Sequence, residues 1–163
     1  MTNKRETAGK ITAHILAILS IMVSALDIKI SGISAIIPLF DLIIIFYFAI
    51  FKDVFAIWFL FLLGLYHDSL NGNWVGITSL CYILSVKTFT ILNHKLIIRK
   101  NFKQIWQQFM AFMIVFLILK WLLLSIFNGA FYSINVMVIQ IILTSALYVL
   151  SHKYISHFIA NFE

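Results

Sequence analysis

Several long stretches of this chain are apolar on every face, and that restricts its solvent more than any other feature does. Residues 42–51 read LIIIFYFAIF and residues 110–119 read MAFMIVFLIL. Neither shows the polar stripe of a surface helix or the alternation of a half-buried strand. Hydrophobic residues make up 63% of the 163 positions and charged residues only 11%. That is too few charges to clothe a soluble domain. Lipid is the solvent that fits. In hydrocarbon, backbone amides must be satisfied internally, which leaves helices or closed barrels. A barrel would alternate apolar and polar residues. The expected class is therefore all-α, a polytopic membrane protein, and the length bounds it to one domain over residues 1–163.

About 20 apolar residues cross a hydrocarbon core at about 1.5 Å rise per residue. With that ruler six spans are expected, at about residues 11–26, 33–51, 54–70, 74–92, 105–127 and 132–150. Lys52 and Asp53 alone interrupt the apolar sequence between the second and third, so the chain turns back there. Asn71-Gly72-Asn73 and Asn128-Gly129 are turn signals after the third and fifth. The first segment has the basic front of a signal peptide. It lacks a good cleavage site, and Asp27 and Lys29 follow closely, so it reads as an uncleaved helix.

Charge orients the spans. With a cytoplasmic N-terminus, Lys4, Arg5, Lys10, Lys52, Lys95, Arg99, Lys100, Lys103 and Lys153 all fall inside, and the outer loops keep only Lys29. This is a positive-inside distribution, and six crossings return the C-terminus to the cytoplasm. The net charge of +6 is thereby explained by orientation, and no nucleic-acid-binding motif accompanies it. The basic stretch Lys95, Arg99, Lys100 and Lys103 also suits anionic lipid headgroups or a cytoplasmic partner.

Polar residues at membrane depth mark where function is to be sought. Asp41, Asp68 and Lys120 reach a similar outer depth in the second, third and fifth spans. Either Lys120 pairs with one of the aspartates, or each reaches the headgroups independently. Lys87 lies close enough to the inner surface to snorkel, and His14 reads as a packed histidine. His67 precedes Asp68, but neighbouring helix residues point apart, and no nucleophile, base and oxyanion donor come together. No Cys/His metal spacing is present, and the single cysteine, Cys81, reads as a packed thiol. No catalytic residue, metal or cofactor is expected. Ala13 with Ala17, and Ser20 with Ser24, are small-residue pairs that permit close helix approach.

Gly64, Asp68, Gly72 and Gly76 recur every four residues in GLYHDSLNGNWVGITSL. Gly64 allows close helix approach or merely tolerates it. Asp68 can accept hydrogen bonds from the first amides of the following helix, or from Asn71 and Asn73. Gly72 permits the positive φ of a tight turn. Gly76 lets the start of the fourth helix lie against the third. Upstream, Pro38-Leu39-Phe40-Asp41-Leu42 places a proline and a carboxylate at the head of an apolar helix. This arrangement resembles the rod shape-determining protein MreD family. There a third helix ends in G-x-x-x-D-x-x-x-G after a proline-led second helix.

The resemblance implies a non-enzymatic scaffold in the bacterial cell inner membrane that links peptidoglycan synthesis to cell shape. The implied partners are a single-span MreC-like protein and, through it, the MreB filament and peptidoglycan synthases. Pro38, Asp41, Gly64, Asp68, Gly72, Gly76 and Lys120 are then the partner-contact candidates. The family is also distantly similar to the substrate-binding membrane subunits of vitamin transporters, so a small-molecule transporter subunit is the alternative. That alternative needs a polar outer cavity, whereas the outer loops here are short and almost uncharged.

Overall fold

The computed structural model describes residues 2–24, 38–72, 74–93, 102–128 and 134–160. Among the described residues there are six helices and no strand. They are α1 (Thr2–Ser24), α2 (Phe40–Ile45), α3 (Ile57–Asn71), α4 (Ile77–Asn93), α5 (Phe102–Asn128) and α6 (Ile134–Ala160). A π-helical segment, Phe46–Phe51, continues α2. Consecutive helices pack as neighbours: α1 on α2, α3 on α4, α4 on α5 and α5 on α6. Helix α1 also lies against α3, and the π segment against α4.

Helix lengths divide the elements. Thr7–Ser24 in α1 and Phe102–Phe127 in α5 are long and apolar enough to cross a membrane. The shorter apolar helical stretches are Phe40–Ile50, Ile77–Ile91 and Asn135–Ser151. At about 1.5 Å per residue, the 15 residues of α3 extend only about 22 Å.

The helix ends differ from the expected spans for local reasons. The apolar run 54–56 is not helical. Asp53 sits at φ 49, a left-handed conformation that aspartate tolerates better than most residues. The Val54 amide then donates to Phe48 O at 2.9 Å, and α3 begins only after extended Ala56. Helix α4 starts at Ile77 rather than Trp74 because Gly76 adopts φ 104. Helix α5 starts early enough to take Lys103, expected in a loop, into its first turn. Helix α6 runs on to Ala160, past the expected limit at 150. Residues 25–26 of the first expected span, 33–37 of the second and 132–133 of the sixth lie outside the described residues, as do Asp27, Lys29, Asn73, Lys95, Arg99, Lys100 and Gly129.

The packing inverts the pattern of a water-soluble helix. Outward positions are apolar: Ile11, Ile15, Ile18 and Met22 on α1, and Ile114, Ile118, Leu122 and Ile126 on α5. Those stripes would be polar on a helix facing water. On the inward side of α1, Ala13 and Ala17 are fully buried, which suits close helix approach, and the larger Ile21 is buried beyond them. Asp41, His67, Asp68, Thr78, Ser79, Ser85 and Thr144 are also buried.

An aromatic knot holds four of the elements. Phe46, the first residue of the π segment, lies 6.0 Å from Phe89 of α4, 5.3 Å from Phe109 and 5.5 Å from Phe112 of α5, and 6.1 Å from Tyr148 of α6, ring centre to ring centre. Phe109 and Tyr148 stack at 4.1 Å. On the other side of the array His14 packs edge-on against Phe55 and Phe59, and its Nδ1 lies 2.6 Å from Lys10 O.

Candidate functional site at the polar end of the helices

Asp68, in the last turn of α3, reaches across to the start of α4. Its Oδ2 accepts hydrogen bonds from the Gly76 amide at 2.9 Å and the Thr78 amide at 3.0 Å. These amides have no partner inside α4, because the first N–H groups of a helix never do. A carboxylate there also meets the positive end of the helix dipole. Asp68 is therefore a cap supplied by the neighbouring helix. Of the two donor sets open to it from sequence, the amides of the following helix are the ones used.

The glycines around it divide the geometric work. A Cβ on Gly64 would lie 2.3 Å from both Cα and N of Ser79, so α3 and α4 touch backbone to backbone there. Ser79 Oγ donates to Phe61 O at 2.8 Å across the same contact. Close approach at Gly64 is thus a requirement, not a tolerance. Gly72 ends α3 at φ 64, with its amide donating to Asp68 O. Gly76 has open space where a side chain would go and φ 104, so conformation rather than close approach calls for glycine there.

Asp41 lies in the first turn of α2 and is 1% exposed. Its Oδ1 accepts from Ser24 Oγ at 3.2 Å, at the end of α1, and its Oδ2 accepts from the Tyr82 hydroxyl of α4. One carboxylate thus ties three helices. Pro38 is half-buried just before α2, and its carbonyl accepts the Phe40 amide at 3.0 Å. The Leu39 amide donates to Thr144 Oγ1 of α6 at 3.1 Å.

Tyr82 stacks on Phe116 of α5 at 5.2 Å, and Lys120 Nζ lies 5.8 Å from the centre of that same ring. Among the described residues no ion pair within 4.0 Å joins Lys120 to either aspartate. In place of a direct contact, the Phe116 ring lies between Lys120 and Tyr82. His67 Nδ1 approaches Asp68 Oδ1 only to 4.0 Å, and the Asn71 amide nitrogen lies beside the His67 ring. Among the described residues, nothing hydrogen-bonds to the buried Asp68 Oδ1 or Thr78 Oγ1.

The structure therefore brings Asp41, Asp68, Gly72, Gly76 and Lys120 to one end of the array, with Gly64 one turn further along α3. Lys103, at the start of α5, is exposed and separate from them, as is Lys87 on α4. Sequence reasoning missed Tyr82, Thr78, Ser79 and Thr144 as partners in this site. For Tyr82, Ser79 and Thr144 the available signal was a hydroxyl inside an apolar helix, which is costly in lipid without a partner, whereas Thr78 takes part through its backbone amide.

No curated protein and no solved structure matches this chain significantly. A family model described as rod shape-determining protein MreD matches residues 5–158, nearly the whole length. That is a family of membrane proteins acting in cell shape, and the apolar, all-helical structure agrees with it. A match of this extent places the chain in the rod shape-determining protein MreD family.

Proposed function

We propose that this protein is a non-enzymatic scaffold of the bacterial inner membrane, crossing it six times with both ends in the cytoplasm. It holds a single-span MreC-like partner and, through it, the MreB filament and the peptidoglycan synthases. The observation that carries this reading is the α3–α4 hairpin. Its carboxylate, its glycines and Ser79 all serve backbone geometry: Asp68 caps α4, Gly64 admits Ser79, and Gly72 ends α3. Such a hairpin presents a rigid shape to a partner rather than a reactive group. Small residues and close contacts are how helices associate in lipid, where the hydrophobic effect gives no drive between them.

A cysteine-crosslinking scan of the six spans against the transmembrane segment of an MreC-like partner tests the reading. Leu19 and Leu150 line an apolar cleft of about 420 Å³ between α1, α2 and α6, and they are the first positions to scan. Crosslinks grouped on one face are expected. No crosslink at any position, together with a tightly bound vitamin recovered from the purified protein, would shift the assignment to a transporter subunit. Reporter fusions in residues 94–101 should report the cytoplasmic side; a periplasmic signal rejects the topology.

A further inference from the structure

A second cleft, of about 210 Å³, opens between α5 and α6 at the polar end. Its polar lining includes Lys120 from α5 and Gln140 from α6, inside an apolar collar of Leu39, Leu117, Leu124 and Met137. Among the described residues, no hydrogen bond or ion pair engages either Lys120 Nζ or the Gln140 amide. A lysine ammonium in an apolar wall is unfavourable by a few kcal/mol unless it is paired or hydrated.

The two nearby carboxylates already have donors. Asp41 accepts from Tyr82 and Ser24, and Asp68 accepts from the amides of Gly76 and Thr78. Each also lies at a helix N-terminus, its own for Asp41 and that of α4 for Asp68, whose partial positive charge offsets it. Cys81 of α4 is a free, buried cysteine. The cleft thus offers one cation, which touches only the face of the Phe116 ring, and one neutral amide, and among the described residues no hydrogen bond or ion pair takes up either.

We propose that this cleft is a binding site for one phosphate-type anion, with Lys120 as counter-ion and Gln140 as hydrogen-bond donor. Lysine serves phosphate as a point charge, and a side-chain amide adds a directed donor. The apolar collar suits a phosphate that carries alkyl chains, so an anionic lipid headgroup is the favoured source over the free ion. This site goes beyond the scaffold role and stands or falls separately from it.

The test uses the full chain, delipidated in neutral detergent and titrated with phosphatidylglycerol, phosphatidylcholine or inorganic phosphate, with bound adducts counted by native mass spectrometry. The first phosphatidylglycerol adduct should be about tenfold tighter than that of phosphatidylcholine. Lys120→Met should weaken it about tenfold, and Lys120→Arg should restore it. Gln140→Leu, which keeps the charge, should weaken it about threefold. Inorganic phosphate that displaces the lipid at equal concentration assigns the site to the free anion; failure to displace it assigns the site to lipid. Phosphatidylglycerol affinity unchanged in both Lys120→Met and Gln140→Leu overturns the proposal. If Lys120→Met does not fold, Gln140→Leu decides alone.

Discussion

The polar end and the aromatic knot join many of the same helices by opposite means. At the polar end, Asp68, Asp41 and Ser79 act through directed hydrogen bonds, and Gly64 acts through a contact with no room for a methyl group. In the knot, Phe46 meets rings of α4, α5 and α6 with no hydrogen bond between them. Directed contacts specify one arrangement and fail abruptly when altered. Ring packing depends on filled volume and tolerates replacement by a side chain of similar size. In lipid this difference is sharpened, because apolar burial between helices brings no gain over contact with acyl chains. The polar end should therefore set the register of the helices, and the knot should fill the space that register leaves.

Substitutions can break that comparison. The largest effect is expected from Gly64→Leu, which drives a side chain into the Ser79 backbone and should cost about 3 kcal/mol or more. Denaturant titration in mixed micelles would measure it. A stable Gly64→Leu protein with α3 and α4 still crosslinkable at 61 and 79 would refute the backbone contact. Phe46→Ala comes next. It opens roughly 100 Å³, which at about 24 cal/mol per Å³ costs about 2.4 kcal/mol. Phe46→Leu should cost less than half of that, and equal losses for Ala and Leu would show that the knot demands an aromatic ring rather than volume.

Asp68→Ala removes the acceptor for two amides and should cost about 2 kcal/mol, whereas Asp68→Asn keeps a carbonyl oxygen and should cost about half as much. If Asn proved as harmful as Ala, the charge against the helix dipole would matter more than the hydrogen bonds. The smallest effect belongs to Gly72→Ala. Nothing lies within 4 Å of its missing Cβ, so the cost is the left-handed conformation alone, about 1 kcal/mol, and Gly72→Asn should recover part of it. Thermal melts of the two variants side by side would separate conformational cost from the steric cost at Gly64.

How much of this was legible depended on whether the determinant was local. The Asn71-Gly72 turn was readable because a left-handed helix end needs glycine within the same few residues. The capping role of Asp68 was readable as one of two possibilities, because the carboxylate and the amides it meets are only eight and ten residues apart. Ser24 and Asp41 were each noticed, but not as partners, and Tyr82 was not noticed at all. Tyr82 lies 41 residues beyond Asp41, and only the packing of α4 against the start of α2 brings the hydroxyl to the carboxylate. The same holds for Leu39 and Thr144, separated by 105 residues. The non-helical step at 52–56 was half legible. Lys52 and Asp53 signalled a reversal, but nothing local showed that Val54 would bond back to Phe48 instead of starting a helix.

Composition and periodicity alone determined that the chain is helical and apolar on its outward faces, because a backbone in lipid satisfies itself only in helices or closed barrels, and the apolar runs lack the alternation of a barrel. They also determined where charge interrupts the apolar runs, since a charge in hydrocarbon is unfavourable wherever it falls. Which carboxylate met which donor was decided only when helices distant in sequence packed together. The same packing left Lys120 facing a cleft rather than an aspartate, because Tyr82, Ser24 and the head of α4 reached the carboxylates first.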